Sequence, residues 1–154
     1  MAVAKNMASF KGTFVHQMDT KGRVAFPSRL RSQIPEGGTL TVAVEPCLTF
    51  YPTDLWHDVE RELGRLDPLS PDVRDTKRQI FGSAEDATFD RQGRIAIPSH
   101  LRDHAHLGKE VVVMGVGDVI ELWDATTWSE RHGHIAADAS DIMRRARGGV
   151  PPST

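Results

Sequence analysis

The chain is predicted to be an α+β protein, mainly β, in which two copies of a strand-turn-strand-helix unit fold together about an approximate two-fold axis. Three observations predict this. Residues 19–31, DTKGRVAFPSRLR, return as DRQGRIAIPSHLR at 90–102, 71 positions later, and eight of the thirteen positions are identical. Each copy is followed by two apolar runs of strand length. A half of about 70 residues buries its apolar surface poorly, so the halves are expected to share one core.

The elements follow in order. Residues 14–18 read as a short strand entering the turn Asp19-Thr20-Lys21-Gly22, where glycine accepts a backbone angle that other residues resist. Residues 23–26 are a second strand. Pro27, with fixed φ and no amide hydrogen, suits the first turn of a helix over 28–33, which Pro35 ends. The second copy repeats this as strand 94–97 and helix 98–106, with Gly108 as the C-terminal cap. Strands over 39–44 and 48–51 come next, matched by 110–116 and 119–123. Tyr51 corresponds to Trp123 and Trp56 to Trp128, both 72 apart, so one residue has been gained between the motif and these positions.

Leu55, Val59, Leu63 and Leu66 lie at helical spacing over 54–66, and a helix from Thr126 onward carries Trp128, Ile135 and Ile142 on a similar stripe. These two outer helices are expected to cover the sheets. The loop Asp67-Pro68-Leu69-Ser70-Pro71 and a helix over 72–81, stopped at Gly82, form the joint. The expected organisation is an extension at 1–9, a first repeat at 10–66, a linker and helix at 67–80, a second repeat with its C-terminal helix at 81–143, and a tail at 144–154. Extension and tail are expected to be disordered.

The apolar share of 39% and charged share of 26% are those of a globular protein. No run approaches the roughly 20 apolar residues that cross a bilayer, and no secretory leader is visible, so a cytoplasmic protein without a membrane partner is expected. The single cysteine, Cys47, sits among apolar residues and reads as a buried thiol in a reducing compartment. Net charge is −2, which argues against a uniformly basic molecule. The charges are nonetheless segregated: residues 19–31 hold four cations against one anion, 144–147 read RRAR, and acid gathers at 54–75 and 118–130.

Catalysis has no visible residues to carry it. His100, His104 and His106, and separately His132 and His134, stand close enough to be candidate metal ligands, yet nothing adds the thiolates or carboxylates of a familiar site. Gly115-Val116-Gly117 is too short for a nucleotide fingerprint, and no Ser/His/Asp spacing stands out. No enzyme, metal, cofactor or small-molecule substrate is therefore expected.

The paired motifs D-x-[KQ]-G-R-[VI]-x-[FI]-P-S-x-L-R resemble those of the bacterial MraZ family, in which two AbrB-like swapped-hairpin units share one chain, and the similarity runs over residues 10–128. The resemblance implies a pseudo-two-fold, double swapped-hairpin AbrB-like β-barrel with short helices and outer covering helices. It also implies a cytoplasmic, nucleoid-associated regulator of the division and cell-wall gene cluster that binds repeated promoter boxes in double-stranded DNA as a ring homo-oligomer. Such proteins start almost directly at the Phe-x-Gly seen here as Phe10-Lys11-Gly12, so residues 1–9 are an extension, or a misplaced start with Met7 as the alternative. The second motif departs from the first in carrying Gln92 where the first has Lys21.

Residue chemistry agrees with part of this, because a β-turn projecting Lys21 and Arg23 can enter a major groove as a β-ribbon does. Arginine donates two hydrogen bonds to guanine O6 and N7, whereas Lys21 suits a phosphate or base edge as a point charge. The candidate DNA contacts are Lys21, Arg23, Arg29, Arg31, Arg91, Arg94 and Arg102. Asp19 and Asp90 are read as ion-pair partners that orient Arg23 and Arg94, since a carboxylate facing phosphates is repelled; Gly22 and Gly93 shape the turns. For Arg29 and Arg31 a solvated helix face and a phosphate contact both stay open. The second copy is less basic and is expected to bind more weakly. Two alternatives remain beside this reading: an AbrB-like antitoxin whose helix over 126–147 is the neutralising arm, and a ring scaffold that recruits a protein partner without DNA.

Overall fold

Phe10, Phe14 and His16 alternate with Lys11, Thr13, Val15 and Gln17, and this period of two builds strand β1 (Phe10–Gln17), buried on one side and open on the other. The computed structural model describes residues 8–148, so the expected disorder of the extension and tail falls largely outside the described residues. After β1 come β2 (Arg23–Ala25), α1 (Ser28–Arg31), β3 (Gly38–Val42), β4 (Leu48–Pro52), α2 (Thr53–Gly64) and α3 (Pro71–Gly82). The second half supplies β5 (Glu85–Ala87), β6 (Arg94–Ala96), α4 (Ser99–His104), β7 (Glu110–Gly117), β8 (Ile120–Asp124), α5 (Ala125–Ala137) and α6 (Ala139–Ala146).

Six strands form one antiparallel sheet in the order β1-β7-β8-β4-β3-β5, and β2 pairs with β6 in a separate two-stranded ribbon. The halves therefore exchange their first strands. β1 of the first half pairs with β7 of the second along its whole length, from Phe10 opposite Gly117 to Gln17 opposite Glu110, and β5 of the second pairs with β3 of the first. That pairing explains why β1 begins at Phe10 and not at residue 14. At its start Gly115 lets the strands approach, because a Cβ there would lie 2.5 Å from the Lys11 nitrogen.

The pseudo-two-fold axis passes between β4 and β8, where Thr49 is opposite Glu121, and through the ribbon, where Val24 is opposite Ile95. Pairing also refines the internal alignment: Leu40 takes Phe50 and Glu85 as neighbours, and Val113 takes Leu122 and Phe14, so Leu40 and Val113 are equivalent, 73 apart. Two residues have been gained before β7 and one lost before β8.

The core lies between the ribbon and the inner face of the large sheet. Val24 and Ile95 point down from the ribbon, Leu30 and Leu101 from the two short helices, and Leu40, Phe50, Val111, Val113 and Leu122 point up from the sheet. Phe26 meets Phe50 and Phe89 edge-on, both with ring centroids 5.3 Å away. The outer face of the sheet is covered as expected. Trp128 of α5 packs on Trp123, Trp56 of α2 on Tyr51, and Thr41 donates to the Ile80 carbonyl of α3 at 2.6 Å.

Several helix boundaries differ from the sequence reading. α1 stops at Arg31, and the next residues close as turns, with Ile34 N donating to Arg31 O at 3.0 Å. α4 ends at His104, and the left-handed position after it is His106 (φ 52), not Gly108; Leu107 N donates to Arg102 O at 3.0 Å. Gly108 instead donates its amide to Asp124 Oδ1 at 2.9 Å. The last helix is not continuous: Asp138 leaves helical geometry (φ −106, ψ 16) and separates α5 from α6. At the joint, α3 starts one residue earlier than expected, with Pro71 at its first position and Ser70 Oγ accepting from Val73 N.

Because each half closes the other's sheet, unfolding is expected to be a single transition. Phe26→Ala, at a position 1% exposed, should cost about 3–5 kcal/mol. In urea melts, Trp56 in one half and Trp128 in the other should report the same lowered midpoint. Separate midpoints for the two tryptophans would contradict the shared core.

Candidate nucleic-acid interface

Each motif opens on an aspartate that organises its own turn. Asp19 Oδ1 accepts from the amides of Lys21 and Arg23, both at 2.9 Å, the short-range bonding that aspartate offers at turns. Backbone bonds close the same loop, Gly22 N to Asp19 O at 3.0 Å and Asp19 N to Arg23 O at 2.9 Å. Gly22 takes the left-handed conformation this geometry needs, with φ 76. The second copy repeats the pattern: Asp90 Oδ1 accepts from Gln92 N at 2.9 Å and Arg94 N at 3.0 Å, and Gly93 has φ 74.

The ribbon joins the two turns into one surface. Phe26 N donates to Gly93 O at 3.0 Å and Ile97 N to Gly22 O at 2.8 Å, so the ladder runs past β2 and β6 to the turn glycines. Gly22 and Gly93 then sit at opposite ends of a ribbon about 13 Å long, four strand steps. Val24 and Ile95 face the core, which forces Arg23, Ala25, Arg94 and Ala96 onto the outer face. Two arginines separated only by methyl groups line that face. Lys21, Arg91 and Gln92 are exposed at the flanking turns.

The two arginines are held unequally. Arg23 gives its Nε to Asp19 Oδ2 at 2.6 Å, and neither Nη group has a hydrogen-bond partner among the described residues. Arg94 gives Nε to Asp90 Oδ2 at 3.0 Å and Nη1 to Asp19 Oδ2 at 3.3 Å, across the repeats. Its side chain is 26% exposed against 33% for Arg23. Arg23 therefore presents a free guanidinium fork, while Arg94 is spent on two carboxylates. The sequence did not disclose this cross-repeat bond, since residues 75 apart carry no spacing rule that brings them together.

The remaining candidates divide. Arg29 is exposed on α1, and its Cζ lies over the Phe14 ring at 5.6 Å from the centroid. Arg31 and Arg102 stand beside the turns of the opposite repeats, Arg31 against Gly93 and Arg102 against Gly22. Arg31 Nη1 also donates to the Phe26 carbonyl at 2.8 Å. Neither stands on a ribbon strand.

The histidines do not converge. His100 Nε2 is 3.1 Å from the Ser83 carbonyl, His134 pairs with Asp138, and His132 stacks on Trp128. Among the described residues, the three metal-type donors found together, within 4.8 Å of one another, are Glu45, Cys47 and Glu121, on the far side of the sheet. Sequence spacing could not show them, because they meet through the pairing of β4 with β8. Burial, and then Glu121 and Glu45, pushes the Cys47 thiol far up, and Glu121 already accepts from Trp123 Nε1 at 2.9 Å.

Donation from the Arg23 backbone, aided by the Arg23 side chain and the Lys21 amide, holds the Asp19 carboxyl below its usual 3.8 against an opposing desolvation. The Arg94 backbone does the same for Asp90. A carboxyl depressed in the folded state contributes fully above its ordinary value and loses that contribution as pH falls through the depressed one. The Lys21 and Arg23 amides, followed by NMR in acid, should therefore titrate with a midpoint below 3.8, and Asp19→Asn should remove the step. A midpoint at or above the ordinary value would overturn the turn assignment.

Against this geometry, comparison with known proteins is consistent. A family model described as "MraZ protein, putative antitoxin-like" matches twice, at residues 9–79 and 80–147. A protein of Thermomicrobium roseum named "Transcriptional regulator MraZ" is 38% identical over 136 residues, 88% of this chain and 96% of that protein. One of the same name from Halothermothrix orenii is 38% identical over 140 residues, 86% of this chain and 98% of its own.

Proposed function

This chain belongs to the MraZ family, and we propose that it is a transcriptional regulator that binds double-stranded DNA sequence-specifically through the outer face of the β2–β6 ribbon. The observation that carries the reading is the pair of arginines on that face with only Ala25 and Ala96 beside them. A two-stranded ribbon fits the major groove, and nothing taller than a methyl group keeps this one from a base edge. Arg23, with both Nη groups available, suits a guanine through O6 and N7. Lys21, Arg91 and Arg29 suit phosphates.

Asp19 and Asp90 do not defeat this. Each carboxylate already accepts from amide and guanidinium donors, so its repulsion of phosphate is offset locally while it fixes the arginine beside it. Arg94, shared between two carboxylates, is the weaker reader.

The target we propose is the set of repeated boxes in the promoter of the division and cell-wall gene cluster, bound by a ring of identical subunits in the nucleoid. A lone ribbon offers few contacts, and linking several in one assembly raises the effective concentration of each later contact. Two features support self-association. The sheet ends in two edges, β1 and β5, and pairing of one copy's β1 with another's β5 would be a head-to-tail contact of the kind that closes rings. Val15 and Val116, 60% and 41% exposed, add apolar surface on β1 and its neighbour. Among the described residues no helix is long and apolar enough to cross a membrane.

Arg23→Ala should abolish the gel shift of the protein's own upstream DNA while leaving its oligomer, measured by sedimentation, intact. Arg94→Ala should weaken binding less. Unchanged affinity in Arg23→Ala removes the proposal. Affinity should also fall steeply as salt rises, because each neutralised phosphate releases counterions; a flat titration between 50 and 200 mM salt contradicts the phosphate contacts.

A further inference from the structure

Two of the arginines that the sequence groups with the DNA contacts stand on the short helices and not on the ribbon, and their surroundings give them a different task. The guanidinium of Arg102, in α4, lies flat against Gly22: a Cβ added there would sit 3.0 Å from its Cζ and Nη1 and 3.2 Å from its Nε. The guanidinium of Arg31, at the end of α1, lies so close to Gly93 that a Cβ there would overlap it. Both glycines are buried although the turns around them are exposed at Lys21, Arg91 and Gln92. An arginine of the opposite repeat is what covers each one.

The two side chains stand in equivalent places but are anchored differently. Each helix follows directly on the residue that bonds to the glycine in question, Ile97 to Gly22 at 2.8 Å and Phe26 to Gly93 at 3.0 Å. Arg31 Nη1 donates back to Phe26 O at 2.8 Å, and Arg102 Nε is buried with no partner. No ion pair holds either guanidinium among the described residues. Each guanidinium occupies the space a side chain on the glycine would fill, a flat gap to which a planar, weakly hydrated cation is suited and a lysine ammonium is not.

We infer that Arg102 and Arg31 are positioning residues acting across the pseudo-two-fold axis, each packing its guanidinium on the glycine of the other repeat's turn and so fixing how that turn presents its cations to DNA. The control is crossed. Arg102 of the second repeat sets the turn of Lys21 and Arg23, and Arg31 of the first sets the turn of Arg91 and Arg94. For its effect on binding, the inference rests on the DNA reading above, but the crossing is a property of the free protein.

The test uses the full chain. In DNA-free protein, Arg102→Ala should shift the amide resonances of Lys21, Gly22 and Arg23 and leave those of Gln92, Gly93 and Arg94 in place; Arg31→Ala should do the converse. On DNA, Arg102→Ala should lose affinity on the order of tenfold, the scale of one weakened base contact. The slope of log affinity against log salt should stay unchanged, because no phosphate contact is lost, whereas Lys21→Ala should lower it by about one contact. Combined losses should be sub-multiplicative for Arg102→Ala with Lys21→Ala and multiplicative for Arg102→Ala with Arg91→Ala. Arg102→Lys, which keeps the charge and loses the planar fork, should shift the same first-repeat amides and serves if the alanine variant fails to fold. A reduced salt slope with unmoved first-repeat amides, or shifts confined to the arginine's own repeat, would overturn the inference. Crossed shifts in a protein that binds no DNA would leave the positioning intact and sink only the DNA reading.

Discussion

Exchange of the first strand between the two halves is the constraint on which the rest of the molecule depends. β1 has no partner in its own half, and neither has β5; each completes the other half's sheet. The inner face of the six-stranded sheet is therefore one continuous apolar surface, and the β2–β6 ribbon can close over it only where both halves are present. Val24 and Ile95 seal that closure. Once they point inward, strand alternation leaves Arg23 and Arg94 no direction but outward. The outward placement of the two arginines thus follows from the burial of the two residues between them.

The second level of control is electrostatic and local. A β-turn carrying two or three cations repels itself, and an aspartate at its first position offsets this while using the turn's own amides as donors. The duplicated sequence would permit two equal sites. They are unequal because Asp19 Oδ2 accepts from both arginines while Asp90 accepts from only one, which leaves Arg23 the free fork.

Much of this was legible in the sequence, and the reasons are specific. Thirteen residues recurring with eight identities exposed the duplication, and Gly22, Gly93, Pro27 and Pro98 punctuate the elements because each restricts or frees the backbone in a defined way. The turn and its aspartate were readable because their bonds span two to four residues. Contacts over long separation were not. The alternation in β1 says that one side is buried but not which strand lies beside it, and a run such as Val111-Val112-Val113 fits its neighbour in more than one register. The C-terminal cap at His106 was missed because glycine is the usual occupant and one stood two residues on. The break at Asp138 was missed because the apolar stripe continues across it into Ile142. That Arg31 and Arg102 lie against the glycines of the opposite repeats could not be read, because charge patterning records sign and not direction.

If the ribbon reads DNA as proposed, its asymmetry on a symmetric frame decides what it can recognise. A strict two-fold ribbon would present two identical arginines in opposite directions and so favour a palindrome. Here Lys21 is replaced by Gln92 in the second turn, and the second arginine is shared between two carboxylates. Arg91 in turn stands where the first turn has Thr20, so the two turns carry equal charge; the ends differ in where that charge sits and in how many arginine donors are left over, which would give a DNA-bound protein a polarity along the groove. Subunits associating head to tail would repeat that polarity in one sense around the assembly, and a surface of that kind matches boxes repeated in the same orientation better than inverted ones. The divergence of the two copies after duplication, small as it is in residues, is what turns a two-fold scaffold into a directional one.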